Sequence, residues 1–296
     1  MEIELKTKLS LIGAVSCWGA QDMRCGLGPQ VIKSSALLST LKSMGYHVNW
    51  RDCLAPSQQP SEQTDFYDVI SRFCQNLSEL SCDAVRNNQF FTVYGGDHSC
   101  AIGTWSGVYR SLGGAPFGLI WIDAHLDSHT PKTSHSGAIH GMPLAVLLGQ
   151  GDKRLTTIAG QEAKLKPEHV CIVGARSYEY EEQAFLASLG VRVFYDEEVR
   201  ERGLEAVLVD AKRIVSRAEA GYGVSIDLDS IDPADAPGVG SPEPGGLSGL
   251  SLCHVLRHHF NGDEALLGME IAELNPVLDQ SNRTSDLANQ LLLSVM

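Results

Sequence analysis

Short apolar runs alternate with longer segments whose apolar residues recur at helical spacing along almost the whole chain. The runs predict strands at Leu9–Val15, His47–Trp50, Phe90–Tyr94, Phe117–Ile122, Val170–Gly174, Val191–Tyr195, Gly223–Ile226 and Ala265–Leu274. Between them the pattern predicts helices over Pro29–Met44, closed by Gly45, and over Asp65–Asn87, Pro143–Leu148, Glu179–Leu189, Leu204–Glu219, Leu250–Phe260 and Thr284–Leu293. Strands alternating with helices predict an α/β fold built on one doubly wound, mainly parallel sheet of about eight strands. No repeat, low-complexity tract or linker divides it, so a single domain is expected across residues 1–296.

In such sheets the chemistry gathers in loops beyond the carboxyl ends of the strands. Those ends carry the unusual residues. "GGDHS" sets Asp97 and His98 after the third run, and "WIDAHLD" sets Asp123, His125 and Asp127 after the fourth. "SIDLDSIDP" supplies Asp227 and Asp229, and "EIAELNP" supplies Glu273. In extended chain, residues i, i+2 and i+4 share a side, so Asp123, His125 and Asp127 are expected to converge with Asp227 and Asp229. Uncompensated, such a group of carboxylates would raise its own pKa values and cost several kcal/mol or more. Two divalent metals would cancel the charge of Asp123, Asp127, Asp227 and Asp229, and His98 and His125 would give each ion one nitrogen. That oxygen-rich donor set favours Mn²⁺ over a structural Zn²⁺. Asp97, Asp232 and Asp235 read as turn or cap residues. An EF-hand is excluded, because Pro233 stands where that loop needs its turn.

Composition narrows the partners. The 296-residue chain is 43% hydrophobic and 20% charged, ordinary for a globular protein with an ample core. Its net charge of -13, with no basic block, disfavours nucleic acid and anionic membranes. The eight cysteines are scattered without a C-x-x-C, which predicts buried, reduced thiols and a cytoplasmic protein rather than a disulfide framework. Lys6 and Lys8 before "LSLIGAVSCWGA" resemble a secretory leader, yet Glu2 and Glu4 spoil the positive end and the run reads as a first strand.

Together "GGDHS", "WIDAHLD", "SIDLDSIDPADAPGVGSPEPGG" and "EIAELNP" stand in the order and spacing of the ureohydrolase family, from about Leu9 to Pro276. The resemblance, closest to the arginase pattern, implies a three-layer α/β/α fold with two Mn²⁺ per chain. By motif position it makes His98, Asp123, Asp127 and Asp227 ligands of one ion. Asp123, His125, Asp227 and Asp229 become ligands of the other, with Asp123 and Asp227 bridging. Two ions sharing a water would supply hydroxide near neutral pH to attack a guanidinium carbon. Asp127 would pass a proton to the leaving amine, and Glu273 would pair with guanidinium nitrogens. His140, in "AIHGMP", resembles the family's acid/base or proton-shuttle histidine. Glu270 falls on the other face of its strand from Glu273 by parity and reads as structural. The His254/His258 pair lacks a zincin glutamate and reads as a surface coincidence. The family also implies a homo-oligomer, trimer or hexamer.

Substrate choice is less sharply written. "HTPKTSHSGAIHG" follows the arginase pattern, and Ser136 matches a position that contacts the amino-acid carboxylate. His129 and Ala138 stand where arginases carry asparagines, while Ser177 and Glu179 stand where aspartates are usual. Glu179 keeps the charge that would meet an α-ammonium. The expected reaction is therefore L-arginine to L-ornithine and urea, with agmatinase, guanidino-acid hydrolase or formimidoylglutamase as alternatives. Two readings of other classes remain. One is a Mg²⁺-dependent phosphatase built on "SIDLDSI", which leaves the D-x-H-x-D motif unexplained. The other is a non-catalytic homologue, against which the six intact ligand positions argue.

Overall fold

The structure is a computed structural model and describes residues 8–55 and 64–296. Glu2, Glu4 and Lys6 of the leader-like reading lie outside the described residues. Eight strands form one sheet: β1 (Lys8–Val15), β2 (His47–Leu54), β3 (Phe90–Gly95), β4 (Gly118–Ile122), β5 (Val170–Ala175), β6 (Arg192–Tyr195), β7 (Tyr222–Asp227) and β8 (Leu266–Ala272). Their order is β2-β1-β3-β8-β7-β4-β5-β6, and every pairing is parallel.

Parallel sheets bury both faces, which is why the central strands read as unbroken apolar runs. In β4, Ile120 and Ile122 enter one core while Leu119 and Trp121 enter the other. Helices Gly28–Ser34, Leu37–Ser43, Leu204–Val215, Gly249–His259 and Arg283–Val295 cover the first face. Phe66–Arg86, Cys100–Ser111 and Pro143–Leu147 cover the second. Truncating a side chain as buried as Trp121, with 0% exposure, is expected to cost about 3–5 kcal/mol.

Three departures from the sequence pattern have physical causes. The segment read as one helix over Pro29–Met44 is two, because Ser35 is extended (ψ 177) between Gly28–Ser34 and Leu37–Ser43. The helix Cys100–Ser111 was not foreseen: residues 100–108 are all buried, so no polar stripe marks its period. Thirdly, the thiols are not all reduced. Cys17 and Cys25, with Cα atoms 6.0 Å apart in the loop after β1, are joined by a disulfide. A spacing of eight residues gave no motif to flag that pair, and the free cysteines are buried. Among the described residues no helix is long and apolar enough to cross a membrane.

Candidate active site

The middle of the sheet places β3, β8, β7 and β4 side by side, so their carboxyl ends discharge into one space. Glycines let the first of these loops close in. A Cβ on Gly96 would lie 1.7 Å from the Ser16 carbonyl oxygen, so the second glycine of "GGDHS" is needed for that backbone approach. Asp97 then accepts from the amides of Gly19 (3.0 Å) and Ser99 (2.9 Å), as a turn residue should, and aims His98 inward.

The carboxylates converge by turns rather than by strand alternation. β4 ends at Ile122, and the Asp123 side chain accepts from the His125 amide at 2.7 Å. Asp127 follows with a left-handed φ of 46°, a strained conformation for a residue with a side chain. At the last residue of β7, Asp227 accepts from the Asp229 amide at 2.8 Å and caps a 3-10 turn.

Two clusters result. His98 Nδ1 lies 3.3 Å from Asp123 Oδ2, 3.1 Å from Asp127 Oδ2 and 3.2 Å from Asp227 Oδ2. His125 Nδ1 lies 3.6 Å from Asp123 Oδ1 and 3.2 Å from Asp229 Oδ2. These contacts have ligand spacing without hydrogen-bond geometry: His98 Nδ1, Asp127 Oδ2 and Asp229 Oδ1 are buried with no hydrogen-bond partner. Buried polar atoms are rarely left so, and atoms crowded about a shared point fit a cation there. Electrostatics agrees. Burial, then the charge of Asp123, pushes Asp127 up to about 6. Burial and the facing carboxylates push Asp227 well above its ordinary range and Asp229 upward. Asp123 goes the other way: burial would raise it, but His125 and His98 outweigh that and lower it.

Behind His98 stands a support that the sequence reading placed wrongly. His98 Nε2 is 3.0 Å from Ser225 Oγ, whose hydroxyl meets Glu270 Oε1 at 2.9 Å, and Thr104 Oγ1 donates to the same carboxylate. Glu270 is thus on the ligand side of the sheet, although away from the cavity. Parity misled because Glu273 has φ 68°, which breaks the alternation and turns its side chain back toward the site. Ser225 could have been found, since it shares a strand face with Asp227 and pairs in register with Glu270.

Glu273 Oε1 accepts from the His98 amide (2.9 Å) and meets His140 Nδ1 (3.0 Å). Burial alone would lower the His140 imidazole, but the hydrogen bond and charge of Glu273 outweigh it and raise it to about 9. His140 and Asp127 line one cavity of about 200 Å³ with His125, Asp227, Asp229 and the remaining tail candidates. Those candidates are arranged differently from the cluster. His129 Nε2 is 3.0 Å from Glu179 Oε2 and its Nδ1 is 3.1 Å from Thr133 Oγ1, so His129 and Glu179 hold each other. Ser136 is exposed on the rim and accepts from the Ala138 amide at 3.2 Å. Ser177 is turned to Glu243 at 3.1 Å, away from the tail pair.

Three neighbours of the candidate residues escaped the sequence reading. Glu182 lies 3.4 Å from His129 Nε2 and forms a capping box with Glu179 at the start of the helix Tyr180–Leu189. The E-x-x-E spacing was the available signal. Glu243 Oε1 is 3.8 Å from His125 Nε2. Arg176 donates to the carbonyls of Asp229, Ser230 and Glu243 and so fastens the loop that carries Asp229. The His254/His258 pair is exposed on one helix, remote in contact from all of these.

A family model described as the arginase family matches residues 7–296. The chain belongs to the arginase family. Among its relatives, an arginase of Brevibacillus brevis is 35% identical over 295 residues, 98% of each chain. The solved arginase of Bacillus caldovelox superposes with a TM-score of 0.90 at 33% identity, covering 97% of both chains. An arginase of Entamoeba histolytica, solved in complex with L-ornithine, gives 0.91 at 26% identity over 100% of this chain and 99% of that one. Membership in the arginase family makes the chain a ureohydrolase and accounts for two histidine–carboxylate clusters around one shared aspartate.

Proposed function

We propose that this ureohydrolase hydrolyses L-arginine to L-ornithine and urea at a binuclear manganese centre. The observation that carries the reading is the pair of buried clusters sharing Asp123, with Asp127, His140 and Glu273 beside them at the cavity. His98, Asp123, Asp127 and Asp227 would hold one ion, and Asp123, His125, Asp227 and Asp229 the other. When bound, the ions supply the Lewis acidity that makes water nucleophilic near neutral pH.

The chain does the rest. The Glu273 carboxylate grips the guanidinium through the oxygen not engaged by His98 and His140 and presents the planar carbon to the nucleophile. Asp127 accepts a hydrogen bond from the attacking oxygen and hands its proton to the leaving amine. His140, held by Glu273, moves protons between that amine and solvent. Ser136 reads the carboxylate of the amino acid, and Glu179, held in place by His129, reads its ammonium end. L-Ornithine, the product expected of this reaction, is the ligand carried by the Entamoeba relative. A cytoplasmic homo-oligomer, trimer or hexamer, goes with this reading, and sizing of the native protein tests it.

The deciding assay loads the chain with Mn²⁺ and measures urea release from L-arginine, agmatine and 4-guanidinobutyrate, with ammonia or formamide release scored for formimidoylglutamate. L-Arginine turned over fastest, with two Mn²⁺ per chain, is the expected result. Agmatine turned over faster would overturn the substrate but leave the family.

A further inference from the structure

Outside both catalytic clusters, His129, Glu179 and Glu182 bring one nitrogen and two carboxylate oxygens within 4.8 Å of one another. We propose that these three side chains, with His135, form a third divalent-cation site at the mouth of the substrate cavity, with zinc as the ion it favours.

The donor set changes from the catalytic one. The catalytic clusters are rich in aspartate, whereas this group brings one imidazole and two glutamates together, and the His135 imidazole on the same cavity wall would complete a set suited to tetrahedral Zn²⁺. The spacing agrees. Donors about a zinc with bonds of about 2.0–2.1 Å stand about 3.3 Å apart, and His129 Nε2 is 3.0 Å from Glu179 Oε2 and 3.4 Å from Glu182 Oε2. The site is also built. Thr133 Oγ1 holds His129 Nδ1 at 3.1 Å, which turns Nε2 to the carboxylates in the way an outer group orients a metal-binding histidine. The amides of Ser128 and Glu179 fix the two oxygens of Glu182 at 3.0 and 3.1 Å. Side-chain exposure is 11% for His129 and 4% for Glu182, so two donors are enclosed, while Glu179, at 50%, stands at the open side by which an ion would enter. His135 lines the same cavity, its ring centre 6.4 Å from that of His129. Two carboxylates and two neutral imidazoles match the charge of one dication. No residue is shared with the catalytic clusters, so both can be filled together.

An ion there would cover the groups assigned above to the amino-acid end of the substrate. Its inhibitory effect rests on that assignment; its binding does not. The test titrates Zn²⁺ into the Mn²⁺-loaded full chain and counts both metals per chain. The expected result is one zinc added with manganese retained, lost in His129→Asn and Glu182→Gln. His135→Ala, at an exposed position to which no substrate contact is assigned, should keep its turnover without zinc and raise the zinc inhibition constant at least about tenfold. It carries the test even if the buried variants fail to fold. Zinc entering only by one-for-one loss of manganese, a third ion undiminished in folded His129→Asn and Glu182→Gln, or inhibition unmoved by His135→Ala would each overturn the site. A chain that binds the third ion yet releases no urea would instead sink the proposed function and leave the site standing.

Discussion

The two ends of the cavity are built on different principles. At the floor, Asp123, Asp227, Asp229 and His98 are 0–3% exposed and issue from three strands in the middle of the sheet, β3, β4 and β7, with the Asp123 and Asp227 carboxylates pinned by backbone amides. At the mouth, His129, Ser136 and Glu179 come from loops and a helix cap, and Ser136 and Glu179 are exposed. A strand end inside a packed sheet has little freedom, because a shift of any one strand disturbs both cores. A loop residue can change without that penalty. The floor therefore suits chemistry that requires fixed charges, and the mouth suits a choice of substrate tail that can be retuned.

The sharpest way to break this contrast is to remove a shared charge at the floor. Asp123→Asn or Asp227→Asn should reduce urea release to background and lower the manganese content, because each aspartate is assigned to both ions. Metal analysis showing two ions retained in both variants would refute the bridging assignment.

A smaller effect is expected one layer back. Glu270→Gln keeps shape but weakens the Glu270–Ser225–His98 chain, which sets the orientation of the histidine. Manganese affinity should fall about 10- to 100-fold, the usual result of losing such an outer partner, with kcat recovered at saturating Mn²⁺. A folded Glu270→Gln with unchanged affinity would reduce Glu270 to a packing role.

Legibility in the sequence followed the same division. The central strands were visible because two-sided burial demands unbroken apolar runs, and the floor residues were visible because charge at the end of such a run is anomalous. The helix Cys100–Ser111 was hidden by the same burial: it has no wet face. Its Gly103 and Gly107 look like poor helix formers, yet their added Cβ atoms would lie 2.7 Å from the Cys74 carbonyl oxygen and 2.3 Å from that of Ser78. They are there to let it press against the helix Phe66–Arg86. Glu270 and Glu273 were mis-sided because a single left-handed residue is not written in a hydropathy pattern. At the mouth, side-chain identities were plain, but the mutual engagement of His129, Glu179 and Glu182 depends on loop geometry that spacing does not encode.

His140 lies between the two regions. His140→Ala should lower kcat by about 10²-fold or less, the range for an acid–base group, and leave the metal content unchanged. Its interaction with Glu273 also gives a pH signature. The folded value, about 9, lies above the ordinary 6.5, so the protonated imidazole stabilises the fold fully below about pH 6.5, and that contribution is lost as pH rises through about 9. Glu273→Gln removes the group that raises it. The difference in thermal stability between wild type and Glu273→Gln should therefore narrow between those pH values, and a difference that stays flat with pH would unmake the pairing.

The smallest effects belong to the mouth, where they also test what it reads. If Ser136 and Glu179 contact the carboxylate and ammonium of L-arginine, Ser136→Ala and Glu179→Gln should each lower kcat/KM for L-arginine by about 1–2 kcal/mol, as when a charge-assisted hydrogen bond is lost. The lower end is expected for Ser136, because water competes for an exposed hydroxyl. Agmatine has no carboxylate, so Ser136→Ala should leave it unchanged, while Glu179→Gln should weaken both ligands, because agmatine keeps the amino group of arginine. Glu179 is already held by His129 at 3.0 Å, so the substrate ammonium must compete for that carboxylate. His129→Asn frees Glu179 and should thereby improve KM for L-arginine without changing kcat. If His129→Asn instead weakens L-arginine and spares agmatine, the imidazole itself reads the carboxylate and the contact assigned to Ser136 moves to His129. Equal losses on both substrates would place His129 among the groups that hold the cavity wall in shape.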